Sequence, residues 1–161
     1  MNTIFSFTLL CGVLALTSLN TAGAGEPVPY PEGYRNWTHV KSMLIEPGHA
    51  LANPFQGIHH VYANPAAIKG LKNGRYSDGS VLVFDLLNYS ASEHTIQEGA
   101  RKLVGVMVKN ATQYGDTGGW GFEGFAGDSQ VKRLTTDGGA SCFGCHAPQK
   151  GSDYVFSTYR D

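Results

Sequence analysis

The sequence predicts an α+β fold that is mainly β: an antiparallel sheet with short flanking helices. Three observations lead there. The stretches 57–63 (GIHHVYA), 80–87 (SVLVFDLL) and 100–109 (ARKLVGVMVK) are rich in β-branched and aromatic residues and have the length of strands. Most of the connections between them are short turns. Long amphipathic helical patterns are lacking, so helices are left to the edges of a sheet.

In chain order, residues 25–33 carry Pro27, Pro29 and Pro31 and read as an extended leader. Residues 34–45, with Trp37, Val40, Met43 and Leu44, suit either a short helix running into a strand or a single strand. Pro47-Gly48 marks a turn and 49–54 a loop. In the strand at 57–63, Ile58, His60 and Tyr62 share one face, and His59, Val61 and Ala63 the other. Asn64-Pro65 supplies an N-cap and a first-turn proline for a short helix that stops near Asn73-Gly74. After a turn at Ser77-Asp78-Gly79, Val81, Val83 and Asp85 point one way and Leu82, Phe84 and Leu86 the other. Residues 90–98 read as a polar connection. In the next strand Leu103, Gly105 and Met107 oppose Val104, Val106 and Val108. The glycines of 115–127, set among Trp120, Phe122 and Phe125, predict a strand that something large approaches closely. Residues 137–149 form a short helix, and 154–159 a closing strand.

A length of 161 residues suggests one domain. Residues 4–19 are almost uncharged and rich in Phe, Leu and Val, and Ala22-Gly23-Ala24 follows as a cleavage site. The expectation is a signal peptide at 1–24 and a single domain at 25–161. The apolar run is too short for a persuasive stop-transfer helix, and Cys11 follows Leu10 rather than a small residue, which argues against a lipid anchor. Residues 1–24 hold no Asp, Glu, Lys or Arg, so the net charge of −1 belongs to the mature domain. A nearly neutral domain gives no case for nucleic acid or an anionic membrane as partner. Only Cys142 and Cys145 remain after cleavage, too few for a disulfide framework.

Those two cysteines stand in Cys142-Phe143-Gly144-Cys145-His146. The pattern C-x-x-C-H is the attachment signature of c-type haem: two thiols add across the porphyrin vinyls, and the following histidine ligates the iron. A redox dithiol usually opens a helix after the first strand of a βαβ unit, a structural zinc needs a second knuckle, and a disulfide here would close a very small loop. The reading is one covalent haem c per chain, with its iron on His146, in an exported protein of the bacterial periplasm.

The segments YPEGYRNWTHVKSM, GIHHVYANPAAI, SDGSVLVFDLL, VGVMVKNA, TGGWGFEGF, CFGCHAPQK and DYVFS together resemble the cytochrome P-460 and cytochrome c′-β family. The resemblance covers most of the mature chain. It implies a largely antiparallel β fold, a homodimer, and a c-type haem with one histidine ligand and an open distal side. In the P-460 branch a lysine is bonded to the porphyrin and hydroxylamine is oxidised. In the c′-β branch phenylalanines cap a pocket that binds nitric oxide and carbon monoxide. Phe55 and Phe84 stand in places that resemble the two distal phenylalanines of c′-β, and the chain is closer to that branch. Two rings above the iron exclude water and offer no donor, which suits neutral NO and CO and disfavours a reaction that must release protons.

Other residues compete for roles at the iron. No lysine falls on the strand at 80–87; Lys69 and Lys72 read as solvated, Lys102, Lys132 and Lys150 carry no signal, and Lys41 and Lys109 lie in apolar surroundings that leave either open for a crosslink. Met107 reads as core rather than as a second axial ligand. His59 and His60 read as structural hydrogen-bonding groups, and Glu123 as a partly exposed carboxylate rather than a distal base. Arg75, Arg101 and Arg133 are candidates for the haem propionates. The functional readings are a five-coordinate gas binder, a P-460-type hydroxylamine oxidoreductase, and an electron carrier with a redox partner. Composition and spacing alone do not separate a ligand binder from an enzyme.

Overall fold

The predicted alternation builds one sheet. The protein is described by a computed structural model over residues 27–160; the expected export segment, 1–24, lies outside the described residues. The strands are β1 (Thr38–Ile45), β2 (Gly57–Ala63), β3 (Val81–Ser92), β4 (Thr95–Lys109) and β5 (Trp120–Ala126). They form a five-stranded antiparallel sheet in sequence order, β1-β2-β3-β4-β5. The helices are short: α1 (Ala52–Phe55), α2 (Pro65–Asn73) and α3 (Ala140–His146), with 3-10 turns at Tyr34–Asn36, Gly115–Thr117 and Ala147–Ser152. The expected class, mainly β with short flanking helices, is the one found. Among the described residues no helix is long and apolar enough to cross a membrane.

Local chemistry sets the helix limits. Asn64 caps α2 by accepting from the Ala67 amide at 2.9 Å, Pro65 occupies the first turn, and Gly74 closes the helix in the left-handed region at φ 72°. The ambiguous stretch at 34–45 resolves as a 3-10 turn followed by β1. The loop expected at 49–54 contains the single turn α1.

The sheet divides its side chains between two faces. On one, Val61, Ala63, Leu82, Trp120 and Phe122 form a core with Ala67, Leu71, Tyr76 and Val155, and Phe84, Met107, Cys142 and Phe143 pack against it. On the other, Val83, Val104, Val106 and Phe125 pack with Val28 of the leader and Tyr34 of the first 3-10 turn. The register keeps the faces apart: Val61 pairs with Phe84, Phe84 with Gly105, and Gly105 with Gly124.

Asp85, at 0% exposure, lies on the second face. Arg35 donates to Oδ2 through Nε and Nη2 at 3.0 and 2.9 Å, and Arg101 donates to Oδ1 at 2.7 Å. Arg101 also pairs with Asp128. Burial by itself would push the Asp85 carboxyl upward, but the hydrogen bonds from Arg101 and Arg35 outweigh it and hold the group below its ordinary value.

Three expectations are corrected. Residues 90–98 are no loose connection: β3 and β4 run on as a paired arm, with Tyr89 opposite Glu98, Ser90 opposite Gln97 and Ser92 opposite Thr95. Glu93 and His94 turn the arm at φ 48° and 63°, both left-handed, as a two-residue primed turn requires. The closing strand at 154–159 does not form, because Asp153 and Tyr154 are both left-handed, at φ 52° and 66°. The glycines at 115–127 chiefly make room for the protein's own rings: a Cβ on Gly121 would lie 2.4 Å from Tyr114, and one on Gly118 2.3 Å from Tyr154.

The two sheet edges differ. On β1 the register shifts between His39 and Lys41. Alongside β5 the chain returns as an isolated bridge from Arg133 to Phe125, and the Leu134 amide donates to the Gly124 carbonyl at 2.8 Å.

Replacing Asp85 by Ala leaves Arg101 facing a buried void and is expected to cost about 3 kcal/mol, the low end for a broken buried ion pair because Arg35 reaches solvent. Denaturant unfolding measures it. The depressed Asp85 carboxyl contributes its stability in full above the ordinary carboxylate range, and that contribution disappears as pH falls through the folded-state value. The thermal midpoint of the wild type should therefore drop on acidification below about pH 4, and that of Asp85→Asn should drop less.

Candidate functional site

The cysteine motif sits on α3, and Asp137 fixes where that helix begins. Its Oδ1 accepts from the Gly139 amide at 3.0 Å, and Oδ2 accepts from the Ser141 amide at 2.9 Å and hydroxyl at 2.5 Å. Cys142 and Cys145 follow at helical spacing i and i+3, which brings both thiols to one side. Both are free; Cys142 is half-buried and Cys145 exposed. Burial raises the Cys142 thiol above its ordinary value, so it rests as the thiol.

His146 ends the helix. Its Nδ1 donates to the Tyr154 carbonyl at 2.8 Å. That bond fixes the tautomer and leaves Nε2 with a free lone pair, the usual arrangement of a histidine that ligates metal. Burial lowers its pKa, partly offset by the bond to Tyr154, so the ring is held in the neutral form that a metal needs. Phe122 packs against the ring at 5.1 Å and Phe156 edge-on at 4.9 Å.

The surroundings fit a large apolar ring. Phe156, against His146, is 53% exposed, and Leu134, over Gly124, is 45% exposed. Gly105 and Gly124 are direct cross-strand partners on the first face and carry no side chains of their own; Phe84 and Leu134 lie 3.4 and 3.3 Å from where their Cβ atoms would stand. On β2 of the same face the His59 Nδ1 is buried without a hydrogen-bond partner. Exposed apolar side chains, two free thiols and an imidazole with an open nitrogen are a set that haem matches.

Phe55 and Phe84 come from α1 and β3, and the fold brings their rings together edge to face at 5.9 Å. Phe84 also lies against His59 at 4.3 Å. Sequence reasoning missed what holds Phe55. Lys102 Nζ donates to the carbonyls of Pro54 at 3.0 Å and Gln56 at 2.6 Å, pinning the backbone on both sides of it. The lysine is distant in sequence and carries no motif, so nothing flagged it.

His60 has the structural role expected of it, bonded to Ser42 at 2.6 Å and Glu98 at 2.5 Å on the second face. His59 does not. It faces Phe84, and burial, with help from the Lys41 charge, pushes its pKa down to about 4, so the ring stays neutral. A histidine alternating with Val61 and Ala63 was the available signal.

Glu123 is buried rather than partly exposed, and it is on the second face. Arg133 donates to it at 2.9 Å, and Thr135 and the Gly124 amide also donate. Burial would raise its pKa, but these bonds lower it, so it is an ionised, fully engaged carboxylate. Arg101 and Arg133 are spent on Asp85 and Glu123, which leaves Arg75 of the three propionate candidates. Met107 packs with the core around Trp120 and Phe122. Lys109 is bound to Asp153 at 2.7 Å, whereas Lys41 pairs in register with Val61 on the first face. Lys72 lies over the Tyr159 ring at 4.6 Å.

Replacing Lys102 by Met should cost about 2 kcal/mol, since it removes charged-donor bonds at a half-buried site. The same change should speed amide exchange at Phe55. If neither quantity moves, the turn holds itself without the lysine.

Among the curated proteins compared, none matches this chain. The family model described as Cytochrome P460 matches residues 31–157.

Proposed function

The chain belongs to the cytochrome P460 family, and from that premise we propose that it is an exported, periplasmic mono-haem c-type cytochrome that binds nitric oxide or carbon monoxide at five-coordinate iron. Family membership makes it a haem-binding cytochrome. The finer reading assigns Cys142 and Cys145 to thioether bonds with the porphyrin, His146 to the iron, and Phe55 and Phe84 to the cap of the distal side. The haem supplies an iron able to take a small diatomic ligand.

The observation that carries this reading is the placement of the buried strand carboxylates on the second face. Asp85 and Glu123, the buried carboxylates of the central sheet, both point away from Phe84 and are engaged by arginines. The side facing α3 offers Phe55, Phe84, Gly105, Met107 and a neutral His59. Hydroxylamine oxidation releases protons and profits from a carboxylate base within reach. Neutral NO and CO need no such group. A homodimer, which the resemblance implies, and a redox partner belong to the same proposal.

One observation favours a second reading. Lys41 shares the Phe84 face through its pairing with Val61, so an amine is present where a P-460-type crosslink would need one. Mass analysis of the haem peptide decides between them. The gas-binding reading expects haem joined through the two cysteines alone, a c-type Soret band and ready CO binding by ferrous protein. Lysine joined to haem, with a strongly red-shifted ferrous Soret band, would establish the oxidase reading. A low-spin six-coordinate iron that resists CO would point to an electron carrier.

Phe84→Ala tests the cap. It should raise the CO association rate by about tenfold, equivalent to roughly 1.4 kcal/mol of steric barrier. Unchanged CO kinetics would remove Phe84 from the distal side.

A further inference from the structure

The bond from His146 to the Tyr154 carbonyl depends on where that carbonyl is held, and the residue before it is tied down unusually well. Asp153 makes contacts to three other parts of the chain. Its Oδ1 accepts from Lys109 Nζ at 2.7 Å, at the end of β4. Its Oδ2 accepts from the Tyr76 amide at 3.0 Å, in the loop before β3. Its own carbonyl accepts from Trp120 Nε1 at 2.8 Å, at the start of β5. Lys109, at 8% exposure, also donates to the Gly118 carbonyl at 3.1 Å and lies over the Trp120 ring at 5.0 Å.

These ties hold a backbone that would not choose its conformation. Asp153 and Tyr154 are consecutive left-handed residues, at φ 52° and 66°, and neither is glycine. The Tyr154 ring fits only because Gly118 lacks a side chain: a Cβ there would come within 2.3 Å of it. On the far side of Tyr154 the Val155 amide donates to the Ser152 carbonyl at 3.2 Å, so the 154–155 peptide is held as well, and its carbonyl, that of Tyr154, accepts from His146 Nδ1 at 2.8 Å.

We propose that Asp153, clamped by Lys109, is a positioning residue for the iron-ligating histidine, setting the orientation and basicity of the His146 imidazole through the Tyr154 carbonyl. This rests on His146 being the iron ligand. Histidine ligands are tuned by what their second nitrogen bonds to: a firmly held acceptor makes the ring a stronger donor and favours the ferric iron. Nothing in the mechanism requires Asp153 or Lys109 to touch haem or ligand.

The test uses haem-loaded protein and three substitutions: Trp120→Phe, which removes the Nε1 donor and shrinks a fully buried ring, Lys109→Met, and the isosteric Asp153→Asn. Resonance Raman of ferrous protein should show the iron–histidine stretching band moving to lower frequency, least in Trp120→Phe. The midpoint potential should rise in the same order. A merely structural clamp would lower the thermal midpoint and leave both quantities where they are in the wild type. If haem-bound variants melt earlier with an unmoved band and potential, the positioning role is overturned, and the isosteric Asp153→Asn keeps that outcome accessible should the others fail to accumulate. An iron–histidine band absent from the wild type itself would instead overturn the assignment of His146 as ligand.

Discussion

An ionised carboxylate without solvent exposure is tolerable only where cations reach it, and Asp85 has two. That constraint orders the rest of the sheet. Because a strand alternates its side chains strictly, fixing Asp85 toward Arg35 and Arg101 fixes Phe84 and Leu86 toward α3. A slip of one residue in β3 would bury Phe84 among arginines and put a carboxylate opposite the cysteine motif. The register that satisfies a charge on one face therefore also determines the chemistry of the other.

Two lysines of β4 extend the same logic to the ends of the site. Lys102 holds the turn that carries Phe55, and Lys109 holds the segment that carries the acceptor for His146. Seven residues apart on an extended strand, they stand roughly 23 Å from one another. A single strand thus references both the turn that carries Phe55 and the carbonyl that His146 binds.

The strands were legible because β2, β3 and the inner half of β4 bury one or both faces, which prints an apolar alternation on the sequence. The outer arm of β3 and β4 was not, since its residues from 91 to 100 are all exposed and its turn, Glu93-His94, lacks the usual glycine. The motif at 142–146 carries its haem reading in its spacing alone, and the pairing of Phe55 with Phe84 was suggested only by resemblance. Glu123, Lys102, Lys109 and Asp153 were opaque for a shared reason. Each works through a partner at least ten residues away, and a charge bonded at long range looks the same in sequence as one in solvent. His59 was opaque for the opposite reason: its Nδ1 has no partner at all.

The unequal sheet edges carry a consequence for the molecule in a crowded compartment. An open strand edge is a template on which another chain can add hydrogen bonds and start a fibre. Here the returning segment at Arg133 and Leu134 occupies the β5 edge, and the shifted register between His39 and Lys41 breaks the regular row of donors and acceptors along β1. Extension of the sheet at the β5 edge is therefore discouraged.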